Sequence, residues 1–168
     1  MWYVIQVASG QEKATLELVE HFVDGKTLKE AFIPQREVMR HRNGEWAKTH
    51  EILFPGYLFV ITKNPDELFA QLMKVPAFTR LLGSDDAFVP LTHEEVNFIT
   101  AFAGEDHIVE MSEGIIEGDE IRILKGPLRD KDAIIKKIDR HKRVAYVQMF
   151  ILGRETSVKL GLEIVRKV

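Results

Sequence analysis

The chain has 168 residues, a formal net charge of −3 and no cysteine, and its 45% hydrophobic and 29% charged residues are typical of an ordinary globular protein. The lack of cysteine excludes disulfides and thiolate metal sites, and it fits a cytoplasmic protein. No apolar stretch approaches the roughly 20 residues that cross a bilayer, and the start of the chain lacks the basic flank of a secretion signal.

The two parts of the chain carry opposite charges. Residues 1–117 contain 10 Lys and Arg against 19 Asp and Glu, whereas residues 118–168 contain 13 against 7. This division favours two domains with different partners, and the basic one is the better candidate for binding a polyanion. We therefore expect a first domain over residues 1–104, an acidic linker without periodicity over 105–117, and a second domain over 118–168.

The first domain is predicted to combine strands and helices. Strands are expected at residues 2–7, in a hairpin over 30–50 that turns at Asn43-Gly44, at 57–61, and at 78–82 with a stop at Gly83. Helices are expected after a capping box from Ser9 to Glu12, after Asn64-Pro65, and after a second capping box from Thr92 to Glu95. The hairpin also carries a basic cluster: Arg36, Arg40, His41, Arg42 and Lys48. A solvated, charged hairpin is the favoured interpretation, and contact with nucleic-acid phosphate is the alternative.

The second domain is predicted to contain strands only. They are expected at residues 120–124, 134–138, 144–151, 156–159 and 162–165, separated by glycine-containing or charged turns. Short strands at this spacing, without a helical period, predict a small barrel.

The run from Leu53 to Ile61 is the most informative stretch of the first domain. A Pro55-Gly56 turn opens it, and alternation then puts Tyr57, Phe59 and Ile61 on one face of a strand. Both faces of this strand and of the strand at 2–7 are apolar. Periodicity favours a central strand that is covered on both sides; the alternative is an aromatic face left open for a partner.

No catalytic constellation is present in the sequence. The six histidines include no pair four residues apart, and neither a phosphate-binding Gly-x-x-x-x-Gly-Lys loop nor a Gly-x-Ser-x-Gly elbow occurs. The adjacent acids Asp85-Asp86 and Glu94-Glu95 diverge on any regular element, so they are predicted to be solvated charges rather than acid-base pairs. We expect a binding protein with no enzymatic activity, no metal and no cofactor.

Several motifs, in order, resemble the NusG family of transcription elongation factors. Trp2-Tyr-Val-Ile-Gln-Val, Gly10-Gln-Glu12 and Phe54-Pro-Gly-Tyr57 look like its N-terminal NGN domain. Gly118-Asp-Glu-Ile-Arg-Ile, Gly126-Pro-Leu and Leu152-Gly-Arg-Glu-Thr-Ser-Val158 resemble its C-terminal KOW domain. The resemblance implies an α+β NGN domain, with an antiparallel sheet flanked by helices, joined by the linker to an all-β SH3-like KOW barrel.

The resemblance also implies a set of partners. The NGN domain would bind the clamp helices of RNA polymerase and suppress pausing, with contacts at Val4, Gln6, Phe54, Tyr57 and Phe59. The non-template DNA strand would pass Lys74, with Arg40 and Arg42 as weaker candidates. In the KOW domain, Leu152 stands where the family usually has an aromatic residue, and Ala133 stands where it usually has glycine. Both departures argue against binding to ribosomal protein S10 or to Rho.

A basic turn distinguishes the second domain. It contains Lys136, Lys137, Arg140, His141, Lys142 and Arg143. A solvated turn is one interpretation; in a basic domain, binding of nascent RNA is the other. The turn resembles specialised antiterminators of the LoaP type, which implies a monomeric processive antitermination factor that recognises a leader RNA hairpin. A general elongation factor, or a ribosome-associated KOW module, is the alternative.

Overall fold

The computed structural model describes residues 1–82 and 87–167. Gly83 and Asp85-Asp86 therefore lie outside the described residues. No helix in these ranges is long and apolar enough to cross a membrane. The chain forms two compact units, one made of Met1–Ile33 and Phe54–Val96 and the other of Pro34–Leu53 and Asn97–Val168. The boundaries predicted at residues 104 and 118 remain predictions.

The first unit is built on a four-stranded antiparallel sheet. Its strands are β1 (Trp2–Gln6), β2 (Leu28–Phe32), β5 (Tyr57–Thr62) and β6 (Phe88–Pro90), in the order β2-β5-β1-β6. The two strands that are apolar on both faces, β1 and β5, are thus neighbours at the centre, where both sides of a strand can be buried. Ile5, Leu58 and Val60 are fully buried on this sheet.

In the described residues, three helices and the start of a fourth accompany these strands: α1 (Glu12–Phe22), α2 (Pro65–Met73), α3 (Pro76–Leu81) and α4 (His93–Phe102), which enters the second unit at Asn97. The Asn64 cap is confirmed, because its Oδ1 accepts from the backbone N–H of Glu67 at 3.3 Å. The Thr92 capping box is also confirmed, since Thr92 Oγ1 accepts from the N–H of Glu95 and the Glu95 carboxylate accepts from the N–H of Thr92.

Two local predictions in this unit are wrong. Helix α1 begins at Glu12 after Gln11, so Ser9 does not cap it. Residues 78–82 do not form a strand, because Pro76 occupies the first turn of α3 and its fixed φ starts a new helix directly after Val75. A short apolar run does not distinguish these alternatives by periodicity.

The second unit contains two sheets. Strands β3 (Gln35–Arg42) and β4 (Glu45–Ile52) form the predicted hairpin, with positive φ at Asn43 and Gly44, and β7 (Ile108–Val109) pairs parallel to β3. The larger sheet has the order β10-β11-β12-β8-β9. Its strands are β8 (Ser112–Glu117), β9 (Glu120–Lys125), β10 (Ile135–Asp139), β11 (Val144–Ile151) and β12 (Arg154–Lys167).

Strand β12 joins the two halves of the larger sheet. Its first part pairs antiparallel with β11, and residues 162–167 pair parallel with β8. The sequence predicted two strands separated at Gly161, whereas the structure has one. The stretch 105–117, predicted to be an irregular linker, carries β7 and β8. The α+β N-terminal and all-β C-terminal fold class is confirmed.

Candidate functional site

The predicted docking residues of β1 and β5 lie on one face of the first sheet. In the antiparallel register Val4 is opposite Phe59 and Gln6 is opposite Tyr57. Directly opposed residues point to the same side of a sheet. Phe32 of β2 is also opposite Phe59, which adds a third strand to this face.

The face is less open than the docking interpretation expects. Only 3% of Val4, 5% of Phe54 and none of Phe59 is exposed, whereas Tyr57 is half-buried and Gln6 is exposed. The expectation of an open surface is therefore wrong for Val4, Phe54 and Phe59. Neighbouring rings explain part of this burial, because the Phe59 ring lies 5.6 Å from that of Phe32 and 5.9 Å from that of Phe54.

Helix α2 packs on the opposite face of the same sheet. Phe88 of β6 is opposite Ile5, one residue out of phase with Val4. The ring of Phe69 from α2 lies 5.9 Å from that of Phe88. Helix α2 therefore contacts the face that does not carry Phe59.

Glu12 fixes the turn from which the aromatic strand starts. Its carboxylate accepts from the backbone N–H of Gly56 at 3.0 Å and from that of Gly10 at 2.9 Å. Burial raises the pKa of the Glu12 carboxyl, but hydrogen bonds from the N–H groups of Glu12, Gly56 and Gly10 outweigh it, so the pKa lies below its ordinary value. The charged form is thus favoured where the chain turns into β5.

The basic turn connects β10 to β11. The side chains of Lys136, Lys137, Arg140, His141 and Lys142 are exposed there. The backbone N–H of Lys142 donates to Asp139 Oδ1 at 3.0 Å and is the main cause that lowers the pKa of Asp139. Five side chains predicted to bind RNA are therefore accessible around one ordered turn.

Arg143 differs from the rest of the predicted RNA-binding set. Its Nη1 donates to Glu163 Oε1 at 3.1 Å, and its guanidinium lies 4.2 Å from the centre of the Trp46 ring. Only 28% of its side chain is exposed. This guanidinium links β12 to the β3–β4 hairpin. Less of its surface is therefore available to a ligand than that of the other cations of the turn.

The predicted DNA contacts fall in different compact units. Lys74 is the exposed C-cap of α2 in the first unit, whereas Arg40 and Arg42 are exposed on β3 in the second. Arg40 forms an ion pair with Glu51, which Arg36 also contacts at 3.3 Å. Burial raises the pKa of Glu51, but Arg40 and Arg36 lower it below its ordinary value.

The structure brings together residues that sequence analysis did not connect. A cleft of about 330 Å³ lies between the β3–β4 hairpin and the outer face of β11 and β12; its lining includes Arg40, Arg42, Trp46, Lys142, Val144 and Lys159. Trp46 and Lys159 were missed. Alternation could have placed Lys159 on the outer face of its strand, but no sequence signal shows that this face meets the hairpin.

Comparisons with known proteins agree with this architecture. Residues 1–100 match the family model described as transcription termination factor nusG. The chain is 27% identical over 171 residues to the transcription termination/antitermination protein NusG of Campylobacter jejuni, and 30% identical over 179 aligned positions to that of Thermus thermophilus. Each alignment covers 99% of this chain and 97% of the relative.

A solved structure shows the same similarity. The structure described as domain interaction in Thermotoga maritima NusG has 28% sequence identity to this chain and a TM-score of 0.54. The match covers 95% of this chain and 92% of that one.

Proposed function

Because the chain belongs to the NusG family, we propose that it is a transcription factor without enzymatic activity, which binds the clamp helices of RNA polymerase and suppresses pausing and termination. It would act as a monomer in the cytoplasm. The observation that carries the proposal is the shared face of β1 and β5, on which Gln6 and Tyr57 are opposite each other and accessible.

The docking face has exposed and buried residues, to which the proposal gives different roles. Tyr57 and Gln6 make the direct contact, since each retains exposed surface. Val4 and Phe59 lie beside them on the same face but are buried, as is Phe54, and they would support that surface. A half-buried tyrosine with a rigid base is a favourable anchor, because it offers a large area at a small entropic cost.

Nucleic acid is the second partner that we propose. The exposed cations of the basic turn, Lys136, Lys137, Arg140, His141 and Lys142, with Arg143 at its edge, would bind a leader RNA hairpin through its phosphates. Lys74, Arg40 and Arg42 would contact the non-template DNA strand. A factor that recognises a leader RNA hairpin in this way would be a specialised, LoaP-type antiterminator that acts at particular operons.

A general elongation factor is the second candidate. It is favoured by the relatives from Campylobacter jejuni and Thermus thermophilus, which align over nearly the whole chain and are described as termination/antitermination proteins. In that case the chain would couple polymerase to ribosomal protein S10 or Rho, or act on the ribosome as a KOW module. Chromatin profiling separates the two, because a specialised factor occupies few operons and a general one nearly all.

The attachment to polymerase is tested by retention of RNA polymerase on the immobilised full-length chain. We expect Tyr57→Ala to weaken binding by about 2 kcal/mol, roughly 30-fold in Kd, as for an interface anchor. Phe22→Ala is the matched control, because it removes another exposed ring from the same unit but from helix α1. Unchanged affinity of a folded Tyr57→Ala variant would refute the proposed attachment.

A further inference from the structure

The cleft of the second unit is strongly cationic. Arg40, Arg42, Lys142 and Lys159 line it, and Glu51 is the carboxylate among its lining residues. That carboxylate is already neutralised, because both Arg36 and Arg40 contact it. In the described part of the chain, Arg42, Lys142 and Lys159 form no ion pair. Arg42 and Lys159 are thus left for an anionic ligand, together with Lys142, whose charge also acts on the nearby Asp139.

Aromatic groups are placed among these cations. Trp46 lines the cleft, with the ring of His41 5.1 Å from its own. Outside the cleft, Tyr146 is opposite both Lys137 and Lys159 in the sheet register, and the Lys137 ammonium lies 5.7 Å from the centre of the Tyr146 ring. The row Lys137, Tyr146 and Lys159 therefore continues the cleft across three strands on one sheet face.

The walls of the cleft are held at a fixed separation. Arg143 binds Glu163 and covers Trp46, which links the barrel to the hairpin. On the same side, the backbone of Glu37 in β3 passes directly over Gly161 of β12, where a side chain would leave no room for it. A ligand in the cleft would meet a preformed site, which lowers the entropic cost of binding.

We propose that this cleft binds a single nucleic-acid strand, RNA or DNA, with its phosphates on Arg42, Lys142 and Lys159 and its bases toward Trp46 and Tyr146. Cations interleaved with aromatic rings are the usual means of holding a single strand without reading its sequence. The cleft has a volume of about 330 Å³, at the lower end of small-ligand sites, which span roughly 300–1,000 Å³.

The inference deepens the nucleic-acid part of the proposed function and rests on it for the source of the strand. The cleft takes one cation from each of the two proposed nucleic-acid contacts, because Arg42 comes from the hairpin and Lys142 from the β10–β11 turn. An RNA preference would identify the nascent transcript as the source, and a DNA preference the displaced strand.

The test measures binding of the full-length chain to a fluorescein-labelled 10-nucleotide oligouridine and to the matching oligothymidine, by anisotropy over a salt series. Neutralising two phosphate contacts with Arg42→Gln and Lys159→Gln should reduce the slope of log K against log salt by about 1.4, at about 0.7 per contact for a single strand. Arg129→Gln with Lys131→Gln is the matched control, since both are exposed outside the cleft. An equal reduction of the salt slope by the two double variants would overturn the proposal.

Tryptophan emission gives an independent readout of the same site. The chain has two tryptophans, so a Trp2→Phe variant leaves Trp46 as the reporter. We expect saturating oligouridine or oligothymidine to quench it, and no change with bound oligonucleotide would overturn the proposal. Retention of polymerase by the Arg42→Gln, Lys159→Gln variant is measured in parallel, so failure of the cleft is distinguishable from failure of the clamp attachment.

Discussion

The carboxylate of Glu12 accepts a hydrogen bond from the backbone N–H of Gly56 at 3.0 Å, and it thereby ties the first turn of α1 to the turn before β5. Only 2% of Glu12 is exposed. The residue after Gly56 is Tyr57, the proposed anchor for polymerase. The position of the anchor therefore depends on a buried acid far from it in sequence.

Replacing Glu12 should destabilise the first unit. In Glu12→Ala the N–H groups of Gly10 and Gly56 lose their acceptor, and we expect the free energy of unfolding to fall by about 2–3 kcal/mol, as for buried hydrogen bonds to a charged group. Urea denaturation at neutral pH measures the loss. Glu20→Ala, an exposed position of the same helix, is the control. A loss no larger than that of the control would contradict the prediction.

Glu12 should also make stability sensitive to acid. Its pKa is lowered in the folded chain, so its contribution is complete above the unfolded pKa of about 4.3 and is lost as the pH falls through the folded pKa. We expect Glu12→Gln, which cannot titrate, to flatten the curve of unfolding free energy against pH below about pH 5. Urea midpoints at several pH values test this, and a curve parallel to that of the wild type would be evidence against it.

Tyr57 and Phe59 should respond differently to truncation. Phe59 is fully buried between Phe32 and Phe54, so Phe59→Ala should cost about 3–5 kcal/mol of stability. Tyr57→Ala should cost less than about 2 kcal/mol, because Tyr57 is only half-buried. Thermal unfolding of both variants shows which residue supports the fold of the face. Polymerase retention shows which residue contacts the partner. Equal destabilisation by the two would refute this distinction.

A side chain at Gly161 should disturb the second unit. A Cβ atom there would press on the carbonyl oxygen of Glu37 and lie 2.6 Å from Met111 Cγ, and forced overpacking of this kind costs about 1–3 kcal/mol. Gly25→Ala is the matched control, because nothing lies within 4 Å of its Cβ position and its φ is not positive. Denaturant unfolding of both variants measures the difference, and a neutral Gly161→Ala would be incompatible with the close approach.

The basic turn should contribute to RNA affinity through charge. Changing Lys136, Lys137 and Arg140 to Gln should reduce the salt slope for an RNA hairpin by about 1 per contact removed. Lys13, Lys26 and Lys29 changed to Gln form the control, since they are exposed in the first unit. Arg143→Gln should instead lower stability, because its guanidinium pairs with Glu163 and covers Trp46. An unaltered salt slope would favour the solvated interpretation of the turn.

Local signals predicted the elements that local chemistry determines. The caps at Asn64 and Thr92 and the turn at Asn43-Gly44 involve residues within three positions of each other, and all three are present. Alternation in residues 57–61 correctly placed Tyr57 and Phe59 on one face. These features need no knowledge of the rest of the chain.

Long-range packing determined the features that the sequence could not supply. The Glu12 carboxylate accepts a hydrogen bond from the N–H of Gly56 and does not complete a capping box with Ser9. The reason is that the fold of the first unit brings the Pro55-Gly56 turn next to it. Gly161 continues a strand instead of ending one, because β3 passes over it. The burial of Phe59 depends on the rings of Phe32 and Phe54, whose approach only the three-dimensional fold defines.

The parallel pairing of β12 with β8 imposes an order of events during synthesis. The β8–β9 and β10–β11 hairpins join neighbouring segments, and they can form while the chain is still emerging from the ribosome. Residues 112–116 acquire their second neighbour only when residues 162–167 have been made. Until then, one edge of β8 is unpaired, so the second unit should complete its sheet after translation of that segment, in a single late step.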